Sequence, residues 1–382
     1  MIVVYGAAIT LLLAIIAPFF SPFFRYRYIF KETSQEDSTP EEAQPLVPVT
    51  ILLTVHDNAK ELEKNLPLFL SQDYPTEFEV IVVAEQGDSA TEDVLKRHSH
   101  HPHLYSTFIP SSSRYMSRKK LAITLGVKAA KYEWIILTEP SCSPVSPRWL
   151  YGMSCRFTDD MNLVMGYSNY TPETKTSYRL EQLYMSLYLL RLANRGTVYR
   201  ACSMNLAFRK SIFIQQEGYR SNLHLLRGEY DFLVNKYAEK NKTAAIIDKE
   251  AWIVEDKPQQ KAWKNKHIFY LETRKYLRKR TGPQIRFTTD MLLLHLSWLF
   301  IALLAICSFV FDQWIWAGIA GFSMILTIGI RMCIVRKIMR YFTKEISVWR
   351  LIPFELTIVW RRLYYLILHR EADKRDFTSH KL

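Results

Sequence analysis

Three acidic side chains lie just after apolar runs, in positions where a carboxylate could do chemistry. Glu85 and Asp88 come after Val80–Ala84 (VIVVA), and Glu139 comes after Trp134–Leu137 in the stretch WIILTEPSC. Continuous apolar runs of this kind suit strands buried on both faces of a parallel sheet. Glu139 then lies just beyond a strand's carboxyl end, the edge where open α/β sheets bind ligands because the loops diverge there. At that edge one carboxylate accepts hydrogen bonds from a base or ribose, and another helps hold a divalent cation against a diphosphate. The plainer reading of each is a solvated loop acid, with Glu139 leading into a proline-containing turn.

Such chemistry needs strands that end at a common edge. Val49–Leu53 reads as a short strand, and Asn58–Ser71 as a helix with Leu62, Leu66, Phe69 and Leu70 at helical spacing. A helix near Ser89–His98, a weaker strand over Leu104–Ile109 and a helix over Ser117–Lys131 lead to the Trp134 strand. Strands alternating with helices predict a parallel α/β sheet with right-handed crossovers and helices on both faces. The chain has no G-x-G-x-x-G and no G-x-x-x-x-G-K-[ST], so a nucleotide has to be held by other means.

The 382-residue chain is 49% hydrophobic and carries a net charge of +13. Val3–Phe20, Met291–Phe311 and Trp314–Ile330 are apolar runs of spanning length. Their basic flanks fall on one side: Arg25, Arg27 and Lys31 after the first, Arg278, Lys279, Arg280 and Arg286 before the second, and Arg331, Arg336, Lys337 and Arg340 after the third. The connection between the second and third carries Asp312 and no Lys or Arg. The positive-inside rule therefore predicts a multi-pass protein of the inner membrane, with its N-terminus outside and its large domain cytoplasmic. The excess charge is read as facing anionic headgroups rather than nucleic acid. The first run lacks a basic start and an A-x-A site, so it reads as an uncleaved anchor. Lys31–Val47 is polar and reads as a tether. Five scattered cysteines without C-x-x-C pairs indicate neither a zinc site nor a disulfide framework. Leu351–Leu368 is interrupted by Glu355, Arg361 and Arg362 and reads as an interfacial or re-entrant amphipathic pair, with Trp349, Trp360, Tyr364 and Tyr365 at headgroup depth; a fourth span, which would put the basic tail outside, is the alternative.

Several segments together resemble glycosyltransferase family 2. Val49–Ser89 resembles its first part, including the QDYP turn at Gln72–Pro75. Ser117–Leu150 resembles the next, in which members read close to TDADC before a P-x-S-x-x-W tail, here Pro144, Ser146 and Trp149. Arg200–Phe213 resembles the acceptor-side segment, and Leu223–Ala244 the acidic segment that carries the catalytic base. The resemblance implies an inverting transferase of GT-A fold that uses a nucleotide-diphosphate sugar, most readily a UDP-sugar, with a divalent metal, Mg or Mn. Its acceptor would be lipid-linked or a glycan.

The same resemblance assigns roles by motif position. Glu229 is the expected base and Asp231 the second acid of its segment. Thr54, Asp57, Glu85, Asp88, Lys119 and Glu139 are the expected contacts to the nucleotide sugar, with Glu139 and Ser141 in the two acid positions of D-x-D as metal ligands. Glu272 stands where a Gln often opens the Q-x-x-R-W motif, and Arg274 and Lys275 are cations able to meet a diphosphate. A basic amphipathic surface helix is the alternative reading of that segment. Structural alternatives also stand for Glu85 as a turn cap, for Asp57 as a helix cap and for Asp231 as a partner of Arg227 or Lys236. The departures are neutral Ser141, Pro140 with no N–H, Tyr230 and Met204 in place of an acid and an Arg, and Glu in place of Asp at 85, 139 and 229. They leave open a second function, a chain that kept the fold, lost transfer and acts as a binding or assembly partner in an envelope-polysaccharide complex. The expected organisation is an anchor (1–24), a linker (25–48) and a GT-A domain (49–282), followed by two spans (287–331) and interfacial helices with a basic tail (332–382). Within the domain, 49–150 is the nucleotide half, 151–258 the acceptor half and 259–282 the interfacial segment.

Overall fold

The computed structural model describes residues 2–24, 46–110, 117–278 and 280–378, so the expected tether up to residue 45 and Lys279 lie outside the described residues. Along the chain the strands are β1 (Val49–Thr54), β2 (Phe78–Glu85), β3 (Leu104–Ile109), β4 (Trp134–Thr138), β5 (Cys142–Pro144), β6 (Leu163–Gly166), β7 (Ser168–Tyr170), β8 (Leu206–Arg209), β9 (Thr243–Ile246) and β10 (Ile253–Glu255). The helices are α1 (Ile2–Ile16), α2 (Ala59–Leu70), α3 (Ser89–His98), α4 (Arg118–Ala129), α5 (Trp149–Ser154), α6 (Thr176–Asn194), α7 (Lys210–Gln215), α8 (Glu229–Tyr237), α9 (Gln260–Thr273), α10 (Thr281–Val310), α11 (Trp314–Phe342) and α12 (Leu351–Glu371). The chain divides into two compact units, one of residues 29–174, 188–280 and 365–382, the other of 1–28, 175–187 and 281–364.

The first unit is an α/β fold around a seven-stranded sheet of order β3-β2-β1-β4-β8-β6-β9. Its β1, reading VTILLT, is buried along its whole length because it sits between two parallel neighbours. Each fully buried aliphatic side chain there contributes about 1.5–3 kcal/mol relative to exposure. Leu53 pairs with both Val82 and Thr138, so the carboxyl ends of β1, β2 and β4 reach one edge together. Parallel pairing does not extend across the sheet: β8 runs antiparallel to both β4 and β6. A smaller sheet, β5-β10-β7, stands beside the turn that contains Glu139 and starts with β5. Helix α4 packs onto β1 so closely that a Cβ on Gly126 would lie 2.2 Å from Leu52 Cδ1. A Cβ at this position would have to displace the buried Leu52 side chain, so the glycine lets α4 lie close to the sheet.

In the other unit, α1 spans 15 residues and ends in the 3₁₀ turn Ala17–Phe19. It is therefore shorter than the expected Val3–Phe20 span and than the roughly 20 residues a straight crossing needs. Two helices, α10 and α11, are long and apolar enough to cross a membrane. Helix α11 runs on to Phe342, past the expected boundary at 331. The segment expected to form an amphipathic pair is one continuous helix, α12. Its Pro353 falls in the first turn, where proline costs no hydrogen bond. The charges that interrupt its apolar pattern turn inward: Glu355 pairs with Arg331, and Arg361 with Glu181 at 3.1 Å. Trp349, Trp360 and Tyr364 are exposed.

Candidate active site

Arg118, Lys119 and Lys120 open α4 in direct succession. Cations at a helix N-terminus oppose the macrodipole at about 0.3–1 kcal/mol each, so such a run calls for compensating partners. Each finds a different one. Arg118 lies 3.2 Å from Glu85 at the end of β2. Lys119 pairs with Glu139 beyond β4. Lys120, fully buried, donates to the carbonyls of Asn222 and Leu225, at 2.7 and 2.5 Å. Ser117 fixes the start of the row, its hydroxyl accepting from the Lys120 N–H and donating to the Leu226 carbonyl. Desolvation lowers the Lys120 pKa to about 8, while the charge of Glu229 acts in the opposite direction.

Glu139 begins a tight turn. The Cys142 N–H donates to its carbonyl at 3.0 Å, Asn65 donates to the Pro140 carbonyl at 2.8 Å, and the Ser141 carbonyl accepts from Asp256 N–H at 2.8 Å. Tyr230 lies beside it; burial first, then the charge of Glu139, pushes the Tyr230 phenol well above its usual pKa. A hard divalent cation asks for several oxygen ligands. Among the described residues no three His, Cys, Asp or Glu side chains converge in that way, and the one carboxylate of the turn stands in an ion pair with an ammonium, its buried Oε1 making no hydrogen bond. The donor set expected from Glu139 and Ser141 therefore does not make a protein cage for Mg or Mn.

Glu229 is the first residue of α8, only 5% exposed, and its Oε1 has no hydrogen-bond partner among the described residues. The hydroxyl of Tyr219 is likewise buried and unpartnered, and burial, then Glu229, pushes its pKa well up. Buried polar atoms left without partners point to a ligand that completes them. Gly228 ends the incoming loop at φ +95°, where a Cβ would meet Phe232 at 2.8 Å and Thr273 at 3.1 Å. Gly228→Ala is therefore expected to lower stability by about 1–3 kcal/mol through backbone strain, read as a fall in Tm, and to displace Glu229 with it.

Asp231 pairs with neither Arg227 nor Lys236. It accepts from the Ala201 N–H at 3.1 Å beside the Arg200 guanidinium, which itself lies 4.0 Å over the Tyr270 ring. Asp231 thus ties α8 to the segment at Ala201. Desolvation raises its pKa to about 6, against the opposing pull of Arg200. The native state therefore holds this proton more tightly than the unfolded chain, and the associated stability is lost as pH rises from about 4 to 6. Asp231→Asn should flatten the dependence of Tm on pH in that window.

The other expected contacts divide. Glu85 caps no turn with its side chain; it bridges Arg118 and His56, the latter at 2.9 Å. Asp57, exposed at φ +56°, lies beside His56, and the cap position of α2 belongs to Asn58. Thr54 ends β1 with its hydroxyl buried and unpartnered. Asp88 is committed to capping α3 through Thr91 N–H and Oγ1, at 3.2 and 2.5 Å. Lys275 and His369 both pair with Glu272, at 2.6 and 2.9 Å, so Lys275 is engaged at the position expected to meet a diphosphate. Arg274 follows Thr273, whose methyl approaches Gly228. The sequence reading did not pick out Arg118, Lys120, His56 or Tyr219. The available signal was the unbroken Arg-Lys-Lys run at a helix start.

A model of glycosyl transferase family 21 matches residues 10–371. Among solved structures, the mannosyltransferase PcManGT from Pyrobaculum calidifontis, in complex with GDP-Man and Mn2+, superposes with a TM-score of 0.51 at 16% identity, covering 84% of this chain and 96% of that one. TarS 1–349 from S. aureus, in complex with UDP-GlcNAc, gives 0.40 at 13% identity, covering 56% and 60%. No curated protein sequence matches. The family found is 21, so the resemblance to family 2 stands only at the coarser level of a GT-A-like glycosyltransferase.

Proposed function

Because the chain belongs to glycosyl transferase family 21 and is a glycosyltransferase, we propose that it moves a sugar, with inversion, from a nucleoside-diphosphate sugar to a hydroxyl of a lipid-linked or glycan acceptor. The observation that carries this reading is Glu229, a buried carboxylate with an unpartnered oxygen at the head of α8. The acceptor oxygen bonds to the anomeric carbon as the bond from that carbon to the diphosphate oxygen breaks. The electron pair of that bond leaves with the nucleoside diphosphate, and the acceptor proton passes to Glu229. One displacement inverts the anomeric centre.

Glu85 and Thr54, at adjoining strand ends, are assigned to the nucleoside, and Arg118 and Lys119 to the diphosphate. Asp231 is a positioning residue that holds α8 to the Ala201 segment. The solved mannosyltransferase is described with Mn2+; in this chain the turn at Glu139 offers one carboxylate, and no step is assigned to a metal. The length and apolar character of α10 and α11, with the basic flanks, support placing the α/β unit at the cytoplasmic face of the membrane. The test is release of free nucleoside diphosphate from a panel of UDP- and GDP-sugars. Turnover with at least one donor is expected, and its absence with every donor would leave the non-catalytic reading.

A further inference from the structure

The acids at 85, 139 and 229 and the cations at 118 to 120 form one constellation. Each acid is a glutamate, and each stands near a different member of the cation row: Glu85 on Arg118, Glu139 on Lys119, and Glu229 within the electrostatic reach of Lys120. A diphosphate docking at this edge meets a positive helix N-terminus carrying the further charges of Arg118 and Lys119, with Lys120 buried behind them. At Glu139, where a metal was expected, it meets the ammonium of Lys119. That ammonium has three N–H donors, so it can bridge Glu139 and phosphate oxygens at the same time. Glu139 in this arrangement aims Lys119. Ser141, the other expected ligand, is neutral, and its carbonyl is spent on the Asp256 N–H.

We propose that Lys119, aimed by Glu139 and backed by Arg118, supplies at the diphosphate the positive charge that a divalent cation was expected to supply, so that donor binding and transfer need no metal. The inference rests on the transferase reading. During transfer the ammonium stays protonated and donates to the leaving diphosphate oxygen as charge builds there, while the acceptor proton goes to Glu229. Arg118 neutralises the other end of the nucleotide site through Glu85. The unpartnered, buried Oε1 of Glu229 marks where the reacting sugar meets this edge.

The test is calorimetric titration of the full-length protein in detergent with UDP and with GDP, once in EDTA and once in Mn2+. For the unmodified chain, at least one nucleotide should bind with equal affinity in both conditions. Lys119→Ala should weaken that binding in EDTA about tenfold to a hundredfold, the size of one charge-assisted hydrogen bond. Lys119→Arg should recover most of it, which a merely structural role for the ammonium would not require. Binding that disappears in EDTA and returns with Mn2+ overturns the inference and leaves the transferase reading standing. Binding of neither nucleotide in either condition overturns both, and unchanged affinity in Lys119→Ala overturns the role of Lys119 alone.

Discussion

Glu229→Gln should leave nucleoside-diphosphate affinity within about twofold of the unmodified chain and lower transfer about a hundredfold to ten-thousandfold, the usual contribution of a positioned general base. The substitution keeps the shape of the side chain and removes its capacity to take a proton. Donor binding is assigned to Glu85, Lys119 and Thr54, whose partners do not include Glu229. The buried position of Glu229 makes the prediction sharp. Its unpartnered oxygen has no protein donor to lose, so the fold loses little when the charge goes. Lys120 loses a nearby negative charge but keeps its two carbonyl acceptors and with them its hold on the loop before Gly228. A geometric error of about 1 Å at such a base costs on the order of a hundredfold. Glu229→Asp, which draws the carboxylate back by one methylene, should therefore also be slow. Turnover, calorimetry and Tm measured on the same preparations separate these effects. Turnover of Glu229→Gln near that of the unmodified chain would remove Glu229 from the base role.

Arg331→Met should be the most damaging single change outside the site, lowering stability by about 3–5 kcal/mol, as breaking a buried ion pair does. Arg331 Nε donates to Glu355 Oε2 at 2.8 Å, and its second nitrogen pairs with the other carboxylate oxygen. Both side chains are nearly buried, 5% and 4% exposed. Removing the guanidinium leaves a buried carboxylate without its cation. The double variant Arg331→Met/Glu355→Leu removes both charges and should recover most of the loss, because a well-packed apolar pair can replace a buried ion pair at little net cost. Thermal unfolding in detergent reads both. A double variant as unstable as the single one would show that the pair does more than neutralise itself.

This pair also shows what composition leaves undecided. By sequence, Arg331 counts among the basic residues that follow an apolar span, and Glu355 among the charges that break up Leu351–Leu368. In the fold they meet on the inner faces of α11 and α12, so Arg331 contributes nothing to the charge presented at a surface. Which face of a helix a charge occupies follows from periodicity, but whether a partner waits there depends on a helix elsewhere in the chain.

The sequence by itself determined the strands and helices between Val49 and Thr138 and the common edge on which Glu85 and Glu139 stand. Burial on both faces demands a continuous apolar run, and crossover helices carry an amphipathic repeat; both patterns are local and legible within a dozen or so residues. The tertiary structure alone decided which partners these acids have. Arg118 at the start of α4 reaches Glu85 at the end of β2, Lys119 reaches Glu139, and Lys120 reaches carbonyls about a hundred positions away. It also assigned Asp88 to a helix cap and Asp231 to the Ala201 segment. Such contacts follow from the order of strands in the sheet and the closeness with which α4 packs on β1 at Gly126, and no local pattern encodes either.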